Sequence, residues 1–96
     1  MNYYYIIKTI HVSKDDRWGA TSDGIFSEPE TPTLVIRKNM YDLCEGGYNQ
    51  YATVIRFEEG VYPWGEELIW FRWNKEKDVY EECDRPEFLE NWALSL

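Results

Sequence analysis

The chain has 96 residues, 44% of them hydrophobic and 29% charged, a balance that excludes a disordered segment and describes one folded domain. A domain of this size buries only roughly 60–65% of the surface its unfolded chain exposes, so large side chains must carry the core, and 5 Trp, 8 Tyr and 4 Phe supply them. The formal net charge of −8 argues against direct nucleic-acid binding and favours basic partners.

Residues 2–12, NYYYIIKTIHV, are rich in aromatic and β-branched residues and predict a strand apolar on both faces, hence central in its sheet. The opening has no basic start, long apolar run or small-residue cleavage site, and nowhere does an apolar run approach the ~18 residues of a membrane span. The expected setting is therefore cytoplasmic, without a membrane partner. SKDDRWGATSDG, residues 13–24, is polar with two glycines and reads as a long loop or an extended hairpin arm, with Trp18 alone in it.

Helix start signals then accumulate: Ser27 with Glu30, Thr31 as an N-cap, and Pro32 at a first helical position. Ile36, Met40, Leu43 and Cys44 form one apolar stripe, and Gly46 and Gly47 offer a stop. The spacing predicts a helix from about residue 32 to 44 or 45. In residues 48–59, Tyr51, Thr53, Ile55 and Phe57 alternate with Ala52, Val54, Arg56 and Glu58, a second strand.

GVYPWG at 60–65 predicts a tight connection, ELIWFRW at 67–73 a third strand, NKEKD a turn, and VYEEC at 79–83 a fourth strand. Period two sets Ile69, Phe71 and Trp73 toward the helix and Leu68, Trp70 and Arg72 on the other face. Asp84, Pro86 and Glu87 signal a short closing helix with Phe88, Leu89, Trp92 and Ala93 on one side. It either covers Trp70 or leaves it exposed for a ligand, and burial is expected in so small a domain. The expected architecture is α+β: an antiparallel-rich sheet of three to four strands in the order β-α-β-β-β-α, a principal helix on one face, and a short C-terminal helix.

Candidate chemistry is sparse. His11 is the only histidine, and with Cys44 and Cys83 it forms no CxxC or HxxxH spacing, so neither a metal nor a Cys-His nucleophile is expected. EGGYNQ lacks the spacing of a phosphate loop, so no cofactor is expected. The carboxylate doublets Asp15–Asp16, Glu58–Glu59, Glu66–Glu67 and Glu81–Glu82 suggest glycoside hydrolysis only superficially, because adjacent strand residues point to opposite faces. Charge is unevenly distributed: residues 1–57 hold seven carboxylates against six cations, residues 58–96 eleven against four. An acidic row in the second part would imitate a phosphate backbone toward a basic protein.

Across YNQYATVIRFEEGVYPWGEELIWFRWNKEKDVYEECDRPEFLEN, and over about residues 25–91 including GIFS, the chain resembles small acidic accessory proteins of phages and prophages in Gram-positive bacteria. The resemblance carries no catalytic or binding residues. It implies a setting in which such proteins bind and block a host enzyme, defence nucleases included. The expected function is a non-enzymatic protein-binding module, an inhibitor of that kind. Glu58, Glu59, Glu66, Glu67, Glu81 and Glu82 would be its contacts, with Trp18 and Trp64 as aromatic anchors. The alternatives are a small-ligand or carbohydrate site built on exposed Trp, or a purely structural domain. Either a monomer or a homodimer is compatible.

Overall fold

Five consecutive residues, Ile6 to Ile10, are buried in the middle of β1 (Tyr3–Val12), which requires cover on both faces and a strand on each side. The computed structural model, which describes residues 2–60 and 65–94, supplies both. The other strands are β2 (Trp18–Phe26), β3 (Tyr51–Glu58), β4 (Gly65–Asn74) and β5 (Val79–Cys83), with α1 (Glu30–Arg37) between β2 and β3. They form a five-stranded sheet, order β2-β1-β3-β4-β5, with every pairing antiparallel. The α+β class holds.

Three expectations need correction. Of the two alternatives for the polar stretch around Trp18, the hairpin arm holds and the loop does not: it is β2, an edge strand whose backbone is satisfied by pairing with β1 although most of its middle residues are small and polar. That raises the strand count to five. The principal helix starts earlier than residue 32 and stops at Arg37, well short of 44, because Asn39 adopts the left-handed conformation (φ 45°) and Tyr41 follows at φ 60°. Asparagine tolerates that region better than other side chains, and here its Oδ1 accepts a 2.9 Å bond from the Cys44 amide while its Nδ2 donates to the Cys44 thiol. Leu43 and Cys44 are thus buried by a 3₁₀ turn at Met40–Asp42 rather than by helix. The C-terminal helix is reduced to a 3₁₀ turn, Glu87–Leu89, ended by Glu90 at φ 49°. The connection at 61–64 lies outside the described residues.

Each face carries its own core. Ile7, Ala52, Val54, Phe71 and Tyr80 pack beneath Val35, Ile36, Leu43 and Cys44, with Ile69 and Trp73 against them. Ile6, Ile10, Ile55, Phe57 and Trp70 lie on the opposite face beneath Leu89 and Leu94, with Tyr51 and Phe88 alongside. Trp70 is therefore core. Its cover differs from the expected helical stripe: Phe88 and Leu89 pack inward, but Trp92 is 65% exposed, since a 3₁₀ turn followed by extended chain does not repeat at helical spacing.

Lys8 is an anomaly in the second face. It lies between Ile6 and Ile10 and beside Thr53, and only 6% of it is exposed. Burial holds its ammonium below the ordinary lysine range, opposed by the nearby Asp23 carboxylate. The folded state gives up this proton at lower pH than the unfolded chain. Stability therefore rises with pH through the window between the lowered folded value and the ordinary lysine value.

Two predictions follow from the second core. In urea unfolding, Leu89→Ala is expected to cost about 2–5 kcal/mol, as for other fully buried leucines, while Trp92→Ala stays within ~0.5 kcal/mol; comparable losses at both would refute the assigned packing. Lys8→Met, which keeps the volume and removes the desolvated charge, is expected to raise the urea midpoint at neutral pH. It should also flatten the rise in stability at alkaline pH, and an unchanged profile would show that Lys8 is well solvated.

Candidate functional site

The glutamate doublets lie on and around the β4–β5 half of the sheet, whereas Asp15–Asp16 sits in the β1–β2 turn, and their geometry follows from pleat and register. Glu58 ends β3 opposite Tyr3, and Glu66 stands opposite Arg56. Glu81 and Glu82 stand opposite Arg72 and Phe71. From Glu66 to Arg72 the chain advances six residues, about 20 Å at ~3.4 Å per residue. Glu58, Glu59 and Glu66 therefore form one group and Glu81 and Glu82 another, at opposite ends of the β4–β5 side. They do not form one continuous row.

Most of these acids already have partners. Arg56 bonds Glu66 and lies over the Tyr3 ring, 4.7 Å from its centroid. Asn2 donates to Glu59. Glu82 faces Arg37 of α1 at 3.6 Å, and Arg37 lies over Phe71. Glu81 accepts from Asn74 at 2.7 Å and from Lys77 at 3.3 Å, and these bonds hold its carboxyl below the ordinary glutamate range. That is the opposite of what a general acid needs.

Glu67 has a different role from the one expected. A register shift between Val54 and Ile55 leaves Leu68 as an extra residue, so Glu67 pairs with Ile55 and turns toward the second core instead of sharing the face of Ile69. Its Oε1 accepts from Trp70 Nε1 at 2.9 Å and from Arg85 Nε at 2.7 Å. The rest of the Arg85 guanidinium donates to the Glu90 and Trp92 carbonyls. Glu67 thus secures the C-terminal segment. No sequence pattern announces the bulge, although the glycine before the doublet is a trace of it: a Cβ on Gly65 would come within 2.4 Å of Ile55.

Of the two proposed anchors, Trp18 is half-buried, opens β2 and packs toward Phe88, with ring centroids 6.3 Å apart. Trp64 lies outside the described residues. Among the described residues the exposed tryptophan is Trp92, which helical spacing assigns to the core.

A groove of about 760 Å³ opens where β4 leaves the sheet for the β4–β5 turn. Tyr51, Trp73 and Phe88 line it with Arg72, Lys75, Glu76, Glu81 and Glu82. Tyr51 and Phe88 meet edge to face at 5.4 Å. Cys83 also lines it, but burial pushes its thiol up, only partly offset by Arg72 and reinforced by Asp84 and Glu82, so it is not an activated nucleophile. Cys44 belongs to the opposite face of the sheet, and both cysteines are free. His11 stacks on Tyr48 at 4.6 Å and covers Gly19. Among the described residues no three metal-ligating side chains cluster, and no helix is long and apolar enough to cross a membrane.

Glu81's lowered pKa gives a direct test of the groove wall. Stability from this group is present above the unfolded value and lost as pH falls through the lowered folded value. Asn74→Asp keeps the side-chain acceptor that bonds the Glu76 and Lys77 amides but replaces the donor to Glu81 with a like charge. The Glu81 titration followed by NMR is expected to move up, and no movement would show that Lys77 alone sets it. Compared with protein-family models, curated proteins and solved structures, the chain matches none.

Proposed function

We propose that the protein is a non-enzymatic binding module whose acidic β4–β5 side docks a protein with a basic surface. The partner is a nucleic-acid-acting host enzyme, and the module acts as a phage-encoded inhibitor of it. The observation that carries the reading is the strand order: β4 and β5 lie together at one edge, and residues 58–96, which include them, hold eleven carboxylates against four cations. A field of that sign steers a basic protein into encounter and repels nucleic acid. The exposed ion pairs within the patch contribute little individually, so Glu66, Glu81 and Glu82 exchange an intramolecular cation for a partner's at small cost. Glu67 is excluded from the contact set because it secures the C-terminal segment, and Glu58, Glu59, Glu66, Glu81 and Glu82 remain.

A second reading has support of its own. The groove beside Tyr51 and Phe88 has the aromatic wall and nearby polar groups of a small-ligand or carbohydrate site. The two readings differ in salt response, because screening weakens association between exposed charges and leaves stacking almost unaffected.

Immobilised protein exposed to bacterial lysate at low and high salt distinguishes them. The expected result is specific retention of a basic nucleic-acid enzyme, its release by salt, and loss of retention in a Glu81→Lys, Glu82→Lys variant that remains folded. Salt-independent retention, or retention unaffected by reversal at both acidic groups, would overturn the docking mode. A saccharide that shifts Trp fluorescence at both salt concentrations would establish the second reading.

A further inference from the structure

Among the described residues the sheet has two unpaired edges, and they differ in kind. β5 has five residues, two of them Glu81 and Glu82, and its flanks are tied to Lys77 and Arg37. Short length and charge are the devices that keep an edge from pairing. β2 has nine residues, WGATSDGIF, with Asp23 as its one charge, and Ala20 to Asp23 are exposed. Its only irregularity is a register shift against β1 that leaves Asp23 as an extra residue. The stretch Trp18–Ser22 is regular and uncharged and presents an open row of backbone donors and acceptors.

We propose that β2 is a homodimer interface, in which Trp18–Ser22 pairs antiparallel with the same stretch of a second copy across a two-fold axis at Ala20. The occupant is a second copy because the edge is complementary to itself. With Ala20 on the axis, Gly19 meets Thr21, Trp18 meets Ser22, and Arg17 meets Asp23 twice over. Each pair lies on one face of the extended sheet: Trp18, Ala20 and Ser22 are in register with Val12, Ile10 and Lys8, and Gly19 and Thr21 with His11 and Thr9. Asp23 points to that second group's face, where it accepts from the Thr9 hydroxyl. Arg17 has the same parity, and its ion pair with Asp15 is fully at the surface, so it is available. Centring the pairing on Ser22 instead would set Trp18 against Phe26, which the extra residue has turned to the opposite face.

The carboxylates of β4 and β5 do not oppose this contact. β4 and β5 stand three and four strands away from β2, roughly 14 and 19 Å at ~4.8 Å per strand, beyond the ~8 Å screening length at physiological salt. The dimer is a ten-stranded sheet with its acidic edges at the two far ends. This arrangement is independent of what those edges bind.

Sedimentation of the full chain over a concentration series, combined with hydrogen exchange at its two extremes, tests the assignment. The expected result is a mass that doubles from 11.6 kDa as concentration rises, with exchange slowed in the dimer at those amides of Trp18–Ser22 that face away from β1. Ala20→Lys, at an exposed position, places two like charges on the axis and should abolish the doubling while leaving the near-ultraviolet dichroism of the fold intact. Arg17→Asp should weaken it. A single-chain mass up to millimolar concentration would overturn the proposal. So would a dimer in which β2 exchange is unchanged, or one that Ala20→Lys leaves intact.

Discussion

Everything in this molecule depends on a sheet that is apolar on both faces in a chain too short to cover either with a full layer of helix. Ile6 and Ile7, adjacent in β1, belong to different cores, and each must be shielded from water. The chain covers the first face with eight residues of helix and a 3₁₀ turn, and the second with little more than residues 86–94. Short covers bury enough only if the side chains beneath are large. This explains why Phe71, Trp70, Phe57 and Tyr80 are all buried in a domain whose surface-to-volume ratio is unfavourable. Tyr80 can be buried because its hydroxyl donates 2.6 Å to the Asn49 carbonyl; burial, aided by neighbouring acidic groups, pushes its pKa well up and keeps it a donor.

The second cover is held as much by polar contacts as by packing. An irregular segment has few internal hydrogen bonds, and its carbonyls need donors from elsewhere. Arg85 provides them for Glu90 and Trp92 while its charge is met by Glu67, which also satisfies the buried Trp70 indole. One carboxylate thus ties together β4, the tryptophan beneath and the segment above. It reaches that position only because the extra residue at Leu68 reverses its side.

Charge segregation is a consequence of topology. β3 separates the early hairpin from the late one, so the glutamates of β4 and β5 lie on the side of the sheet away from β2. An edge with little charge and an edge rich in it have different physical capacities. The former can accept a strand, and the latter can attract a basic surface and resist strand pairing.

Much of this was legible in the sequence because period two is a strong signal. The alternation of Ala52 and Val54 with Ile55 and Phe57, and of Phe71 with Trp70, assigned both faces correctly. So did the stripe of Ile36, Met40, Leu43 and Cys44, whose burial survives although the helix does not extend that far. Polarity concealed β2, since small polar residues suit an edge strand and a loop equally. The left-handed turn at Asn39 and the extra residues at Asp23 and Leu68 leave almost no local trace, because they are settled by what the neighbouring strand and core demand. Composition and periodicity by themselves determined the α+β class, the core faces and the acidic second half. Tertiary structure alone decided that the acids fall into two groups, that Glu67 is structural and that Trp92 rather than Trp18 is exposed, because each depends on register and on which segment lies across the sheet.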